Sequence, residues 1–265
     1  SCYDAGNLAA GNVSLYLPLL IQEIKLNDKR RYLLLTALKE TISRYASDGR
    51  AQLMDSYADD IWSLLFAESE AEEEASKNVT AECVGRLTLA NPRKFLPELQ
   101  ARIQSDSARS RATAIAAVKF TFTGVQSRVY DDLLQPLLVD FLSLMKDEDL
   151  AVRHLSLTAL NSAVHNKPQL VRDVLDQLLP LLYKETVIRP ELIHTVDMGP
   201  FKYKVDDGLD VRKAAYECMC TLLESCVDRL DVPVFLDHVI PALGDQNDIR
   251  ILAYLILARL IRAAP

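Results

Sequence analysis

An arginine near the start of a predicted helix recurs along the chain, and its spacing constrains the fold more than any other feature. Four such arginines stand at intervals of 42, 59 and 38 residues: Arg111, Arg153, Arg212 and Arg250. The helices that follow Arg31 and Arg153 also share the ending LTAL. Removing an insertion of about 20 residues from the long interval brings it to the ~40–47 residues of HEAT or armadillo repeats. The spacing therefore predicts an array of helix pairs.

Each predicted repeat is a pair of amphipathic helices, because apolar residues recur every three or four positions. The predicted pairs are Ser14–Ile24 with Arg31–Tyr45, Arg50–Phe66 with Lys77–Leu89, Lys94–Gln104 with Ala108–Phe122, Arg128–Met145 with Asp149–Val164, Pro168–Lys184 with Leu209–Leu230, and Val232–Leu243 with Ile249–Ala263. One pair cannot bury its own apolar stripe, so stacked pairs must build a continuous core. We predict an all-α HEAT-repeat superhelix of about six pairs over residues 14–265, after a frayed segment, residues 1–13. An acidic loop is predicted at about residues 67–76.

Acidic residues stand just before each of the four recurring arginines. They are Asp106, Asp149, Asp207, Asp210, Asp245 and Asp248. An acid near the start of the second helix of a pair is stabilised there by the helix dipole. The arginine that follows can then bridge to an acid in the turn of the next repeat. We therefore expect a ladder of ion pairs along the array.

Composition and charge exclude several classes of protein. The chain has 265 residues, 49% of them hydrophobic, with only 8 Gly and 11 Pro, a profile that favours helix over sheet. A net charge of −7 argues against nucleic-acid binding, which needs a basic surface. No signal peptide opens the chain, and the longest late apolar run, Ile251–Ala258, is too short to span a membrane. We expect a soluble cytoplasmic or nuclear protein with neither nucleic acid nor membrane as its partner.

The cysteines and the polar residues give no pattern typical of catalysis. The five cysteines lack CxxC spacing and are expected to be buried and reduced: Cys2, Cys83, Cys218, Cys220 and Cys226. The four histidines lie in separate repeats without metal-ligand spacing: His154, His165, His194 and His238. No glycine-rich phosphate loop occurs, and paired carboxylates are typical of a charged surface. The chain is therefore predicted to be non-catalytic and to use neither a cofactor nor a metal.

The stretch Arg189–Asp210 interrupts the helical pattern. Residues 192–197 and 201–205 alternate in side-chain character with a period of two, which is typical of strands. Gly199-Pro200 separates the two runs, so together they predict a β-hairpin at about residues 187–207, inserted in the fifth repeat. A lone hairpin is marginally stable in water. It must either fold back on its own helices as a brace or protrude to meet a partner.

We expect the hairpin to protrude, because its residue types are those that hold interfaces together. Apolar and aromatic side chains would bind the partner, while two lysines would form a positive rim that favours an acidic or mixed groove. The predicted partner-binding residues are Leu192, Ile193, His194, Val196, Met198, Gly199, Pro200, Phe201, Lys202, Tyr203 and Lys204.

Several longer strings resemble one protein family. They are AECVGRLTLANPRKFLPEL, TAIAAVKFTFTG, VHNKPQLVRDVLDQLLPLLYKET and RPELIHTVDMGPFKYKVDDGLDVRKAAYECMCTLLESCVDRLD. These strings resemble the C-terminal part of the cullin-associated, neddylation-dissociated protein family, whose members were also described as TATA-binding-protein interactors. The combination of MGPFK, VDDGLD and RKAA is far more specific than a general HEAT pattern, and the resemblance spans most of residues 14–265.

The resemblance implies a function in cullin–RING ubiquitin ligases. Members of the family wrap an unmodified cullin as a long superhelix and exchange one adaptor–substrate-receptor module for another. Their C-terminal repeats hold the N-terminal domain of the cullin, and a protruding hairpin overlaps the adaptor's docking site. In this chain that hairpin is Glu191–Val205, with Met198, Gly199, Pro200 and Phe201 at its tip. The N-terminal half of the superhelix is missing, so we expect a fragment or a partner of a separately encoded N-terminal half.

Two other functions fit the sequence. A transcription cofactor that contacts the TATA-binding protein is compatible with the net charge of −7, because the partner's saddle is basic. A general HEAT scaffold or transport receptor also fits the repeat pattern, although it would leave the hairpin without a role.

Overall fold

The computed structural model describes residues 13–47, 54–68, 74–123, 127–199 and 201–263. Backbone contacts divide the chain into two compact units, Ser1–Leu137 and Leu138–Pro265. The described part of the first unit is helical apart from its turns. The described part of the second unit is helical apart from its turns and one hairpin. The predicted N-terminal segment, except Val13, and the middle of the predicted acidic loop lie outside the described residues.

The first unit consists of helix pairs in which the second helices form the buried layer. Its helices are α1 Val13–Leu26, α2 Arg31–Ser47, α3 Ala58–Glu68, α4 Glu74–Ala90, α5 Pro92–Arg102, α6 Ala108–Phe122 and α7 Arg128–Leu134. Helix α4 packs between α2 and α6. Their facing side chains are aliphatic and fully buried, including Leu38, Ile42, Val84, Ile115 and Val118. Their burial provides most of the driving force that holds the layer together.

The second unit repeats this arrangement and carries the hairpin. Its elements are α8 Leu138–Leu142, α9 Leu150–Asn166, α10 Pro168–Arg172, α11 Leu175–Lys184, β1 Ile193–Met198, β2 Phe201–Asp206, α12 Leu209–Ser225, α13 Val232–Val239 and α14 Asn247–Ala263. Here α12 packs between α9 and α14. We call α8 with α9 the fourth pair, α10 and α11 with α12 the fifth, and α13 with α14 the sixth.

Side-chain caps explain where several helices begin. The Asn91 side chain accepts a hydrogen bond from the Lys94 amide, and Pro92 occupies the first helical position, where its missing N–H costs nothing. Ser107 caps α6 in the same way. At the start of α9, the Asp149 carboxylate accepts hydrogen bonds from the amides of Ala151 and Val152. The predicted starts of these three helices are therefore confirmed to within two residues.

Two predicted helices are shorter in the structure because proline interrupts them. The predicted helix Arg128–Met145 is divided by a 3₁₀ turn, Gln135–Leu137, that contains Pro136. The predicted helix Val232–Leu243 changes to 3₁₀ geometry at Ile240, immediately before Pro241. Proline has no amide hydrogen and its ring crowds the preceding turn, so each of these prolines removes an α-helical hydrogen bond and favours a break at that point.

The predicted helices of the fifth pair also differ from the structure. Residues 173 and 174 separate α10 from α11, where a single helix, Pro168–Lys184, was predicted. Helix α12 ends at Ser225 rather than at Leu230, because Cys226 adopts a non-helical conformation and a 3₁₀ turn, Val227–Arg229, follows.

The cysteines in the described residues are buried, as predicted. Cys83, Cys218, Cys220 and Cys226 are all free thiols. Burial raises the pKa of the Cys220 thiol to about 11, because the charged thiolate is poorly solvated there. These thiols therefore remain protonated at neutral pH. Cys2 lies outside the described residues. Within those residues, no helix combines the length and the apolar composition needed to cross a bilayer.

The close approach of α4 and α6 generates a stability prediction at Gly85. A Cβ atom added there would lie 2.7 Å from the backbone oxygen of Ala117 and 3.3 Å from Cβ of Phe120. Overpacking of this kind costs about 1–3 kcal/mol. Replacing a mid-helix glycine by alanine otherwise gains about 1 kcal/mol. We expect Gly85→Ala to lower the free energy of unfolding, measured by urea denaturation.

Gly244→Ala is the matched control, because no heavy atom lies within 4 Å of its added Cβ. Its free energy of unfolding should stay close to that of the wild type. If Gly85→Ala instead stabilised the protein, the helix contact at Gly85 would have to be looser than described.

Candidate partner-binding hairpin

The predicted hairpin forms between α11 and α12. Strands β1 and β2 pair antiparallel, with a register that runs from Ile193 opposite Asp206 to Met198 opposite Phe201. Gly199 starts the turn with φ of 65°, a left-handed conformation that glycine adopts without a steric penalty. Pro200, the other turn residue, lies outside the described residues. The position of the hairpin in the fifth pair is therefore as predicted.

The hairpin is exposed along its length. Phe201 and Tyr203 keep 63% and 52% of their surface accessible, and Val196 keeps 38%. A brace packed against the protein's own helices would bury these large side chains. The exposure therefore agrees with a protruding hairpin rather than with a brace, and it leaves apolar area available to a partner.

The strand register separates the hairpin into an apolar face and a polar face. Directly opposite residues of an antiparallel pair project from the same side, and successive residues alternate between sides. The apolar face carries His194, Val196, Phe201, Tyr203 and Val205. The rings of Phe201 and Tyr203 lie next to each other on it, with centroids 6.5 Å apart.

The polar face carries Ile193, Thr195, Asp197, Lys202, Lys204 and Asp206. Lys202 Nζ lies 4.0 Å from the carboxylate of Asp197 on the opposite strand, and both side chains are exposed. Such a pair is screened by water and contributes little stability. The two lysines therefore do not surround the aromatic residues as a rim, because they project from the other side of the hairpin.

Two other predicted binding residues also lie apart from the apolar face. Ile193 is on the polar face and not, as its apolar side chain predicts, among the apolar contacts. Leu192 belongs to a 3₁₀ turn, Pro190–Leu192, and is half-buried at the base of the hairpin. The two-residue alternation by itself separates Ile193 from Val196, but only the strand register places Val196 on the same face as the aromatic residues.

The C-terminal end of the hairpin is held by Arg212, one of the recurring arginines. Its side chain is 3% exposed, and its Nη2 donates to Asp206 Oδ2 at 2.8 Å and to Asp245 Oδ1 at 3.0 Å. Its Nε donates to Asp245 Oδ2 at 3.0 Å. Burial opposes the charge on Arg212, but the hydrogen bonds to both carboxylates outweigh it and raise the guanidinium pKa. Asp245 lies in the turn of the sixth pair, so one predicted rung of the ladder is confirmed.

The N-terminal end of the hairpin is linked to the fourth pair through Glu185. Its carboxylate, 4% exposed, accepts a 2.7 Å hydrogen bond from Arg189 Nη2 and lies 3.5 Å from Arg153 Nη1. Burial raises the pKa of Glu185, and the charge of Arg153 opposes that rise. This is a second rung of the predicted ladder, with a glutamate in place of an aspartate.

The other two recurring arginines contact their own turns. Arg111 donates to the backbone oxygens of Ser105 and Asp106, and Arg250 donates to the Asn247 side chain at 3.4 Å. The ladder is therefore shown at Arg153 and Arg212, the two arginines that flank the hairpin. Among the described residues, no group of three or more His, Cys, Asp or Glu side chains is placed to hold a metal ion.

Comparison with protein families and curated proteins places the chain among known relatives. Residues 170–265 match the family model described as TATA-binding protein interacting (TIP20). Cullin-associated NEDD8-dissociated protein 1 of Drosophila melanogaster is 50% identical over 262 residues, which are 98% of this chain and 21% of the relative. Cullin-associated NEDD8-dissociated protein 2 of Rattus norvegicus is 46% identical over 265 residues, which are 100% of this chain and 20% of the relative. The chain thus spans about a fifth of these relatives.

Solved structures confirm the repeat fold. A chain in a structure of Kap95p bound to RanGDP aligns with a TM-score of 0.68 at 15% identity, over 95% of this chain and 31% of that one. A designed armadillo repeat protein in complex with the peptide (KR)4 aligns with a TM-score of 0.54 at 15% identity, over 92% and 98%. At this level of identity the likeness concerns the fold alone, a mostly helical armadillo or HEAT-like repeat.

One fungal relative shows which part of the family the chain matches. The C-terminal part of cullin-associated NEDD8-dissociated protein 1 from Emericella nidulans is 38% identical over 261 residues, which are 98% of this chain and 25% of the relative. The match to residues 170–265 covers the hairpin, nearly all of the fifth pair that contains it, and the sixth pair. The chain is therefore homologous to the C-terminal part of the cullin-associated NEDD8-dissociated proteins, the family that its sequence motifs resemble.

Proposed function

We propose that this chain is a non-catalytic, cullin-binding fragment of an exchange factor for cullin–RING ubiquitin ligases, and that it acts in the cytoplasm or nucleus. The hairpin competes with the adaptor for the N-terminal domain of the cullin. One adaptor–substrate-receptor module is thereby displaced, and another can bind. The homology supports a cullin as the partner, because the relatives are named as cullin-associated.

The observation that carries the proposal is the exposed apolar face of the hairpin. Aromatic side chains provide much of the binding energy of protein interfaces, because each can remove a large apolar area from water. Phe201 and Tyr203 are both more than half exposed and lie side by side near the hairpin tip. Displacement requires the hairpin and the adaptor to occupy the same surface of the cullin, so that only one of them can be bound at a time. The apolar face supplies the contacts that the hairpin would make there.

Shortening the hairpin tests the competition directly. We expect that replacing residues 194–205 by a short Gly-Ser link abolishes adaptor displacement from a cullin. Ile193 and Asp206 are kept because Asp206 binds the buried Arg212, so the repeats should remain folded. A competition assay with a purified cullin–adaptor complex measures the loss, and circular dichroism with a thermal melt checks the fold. Unchanged displacement by a folded variant would disprove the mechanism.

The two faces of the hairpin should contribute unequally. We expect Phe201→Ser with Tyr203→Ser to weaken cullin binding at least 30-fold, because truncating a central interface residue costs about 2 kcal/mol or more. Lys202→Ser with Lys204→Ser is the matched control on the polar face and should change affinity less than fivefold. Titration calorimetry of both double variants against the cullin N-terminal domain provides the measurement. Equal losses would assign the contact to the whole hairpin instead of one face.

A second candidate is a transcription cofactor that contacts the TATA-binding protein. The description of the family model that matches residues 170–265 favours it. With a net charge of −7, the chain would attract a basic partner surface, and salt screens such attraction.

The second candidate predicts a strong salt dependence. If the TATA-binding protein is the partner, its recovery in a pull-down of purified proteins should fall steeply between 50 and 300 mM salt, that is, as the Debye length shortens from about 14 Å to 6 Å. Cullin capture through an apolar contact should change much less over that range. The cullin pull-down is repeated with unmodified and with neddylated cullin, each in the presence and absence of a separate N-terminal half. The comparison tests whether this part of the family binds a cullin by itself.

A further inference from the structure

Buried ion pairs link both ends of the hairpin to neighbouring helix pairs. We propose that Arg212 and Asp245 are positioning residues that couple the direction of the hairpin to the stacking of the fifth and sixth pairs. The coupling itself can be measured without any partner. Its consequence for cullin binding rests on the proposed function.

The C-terminal link passes through one guanidinium group. Arg212 Nη2 binds Asp206, the last residue of β2, and Asp245, in the turn before α14. The side chains of all three residues are at most 6% exposed, so water cannot readily replace either carboxylate. Removing Arg212 would leave both carboxylates buried without a positive partner, which is strongly destabilising. Removing either carboxylate would leave buried guanidinium donors without an acceptor, which also costs stability. The end of β2 therefore keeps its place only while the sixth pair stays stacked on the fifth.

The second oxygen of Asp206 holds the backbone where the hairpin ends. Asp206 Oδ1 accepts a 3.0 Å hydrogen bond from the Gly208 amide, just before α12 begins. Beside it, the Asp207 amide donates to the Leu192 oxygen at 3.1 Å and extends the pairing of the strands by one step. A change at Asp206 is therefore transmitted to both strands.

The N-terminal link reaches the fourth pair in the same manner. Arg189, four residues before β1, binds Glu185, and Glu185 faces Arg153 near the start of α9. Arg153, Glu185, Arg189 and Arg212 also line one small cleft at the base of the hairpin. The two links thus meet beneath the hairpin, at a cleft lined by residues of the fourth and fifth pairs.

This arrangement gives the hairpin a direction that it could not keep alone. A two-stranded hairpin is marginally stable by itself in water, so its order depends on how its ends are held. A planar guanidinium can bind two carboxylates at fixed angles, whereas a lysine ammonium acts as a flexible point charge. Coupling between sites is reciprocal. A partner that binds the hairpin in its held direction therefore also stabilises the stacking of the fifth and sixth pairs.

The test uses a substitution outside the hairpin and its matched neighbour. Asp245→Asn removes one of the two carboxylate charges that Arg212 binds, while the side chain keeps its size. Asp248→Asn lies three residues away and alters an exposed contact of 3.4 Å with Lys213. Hydrogen exchange is measured on the hairpin amides and, as an internal reference, on those of α9. We expect about tenfold faster hairpin exchange in Asp245→Asn, with α9 little changed, and wild-type exchange in Asp248→Asn.

Arg212→Lys provides a second variant that retains the positive charge, so the proposal remains testable if Asp245→Asn does not fold. It should also speed hairpin exchange, because one ammonium group cannot reproduce three directed hydrogen bonds. Unchanged hairpin exchange in either folded variant would overturn the proposal. Equal acceleration in the hairpin and in α9 would also overturn it, because it would indicate general destabilisation.

The binding readout separates this proposal from the proposed function. If Asp245→Asn loosens the hairpin, adaptor displacement should weaken with it. If displacement survives removal of residues 194–205, the competition mechanism fails, while the exchange result still decides the coupling. If removal abolishes displacement but Asp245→Asn matches the wild type in exchange and displacement, the competition stands and the coupling is wrong.

Discussion

The bridge from Arg212 to Asp206 and Asp245 is the interaction on which the candidate site depends. A hairpin without a sheet has few contacts of its own, and the buried ion pair gives its C-terminal end a fixed place in the helical array. The same arginine belongs to the recurring set that marks the repeats. Arg212 therefore bridges the fifth and sixth pairs and also holds the end of the inserted hairpin.

Close packing of the second helices provides the support for that arrangement. In the first unit α4 lies between α2 and α6, and in the second unit α12 lies between α9 and α14. Because densely packed layers resist small shifts, a hairpin held by such a layer can present side chains in a defined direction.

The chemistry of the hairpin is that of a contact surface. Its apolar face offers Phe201 and Tyr203, while its lysines project from the opposite side. Homology supports a cullin as the partner, and the family-model description keeps the TATA-binding protein as a second candidate. The solved structures contribute the fold alone, since designed armadillo proteins share it at 15% identity.

The sequence by itself determined the repeat, the hairpin and the family, because each depends on a local pattern. These patterns are the arginine spacing, the change in the spacing of apolar residues from three or four positions to two, and specific motifs. It also indicated the ladder between Arg212 and Asp245. Only the tertiary structure decided which side chains share a face of the hairpin and that Glu185 accepts the bonds of the N-terminal link. These features depend on strand register and on contacts between residues far apart in the chain, which local periodicity does not specify.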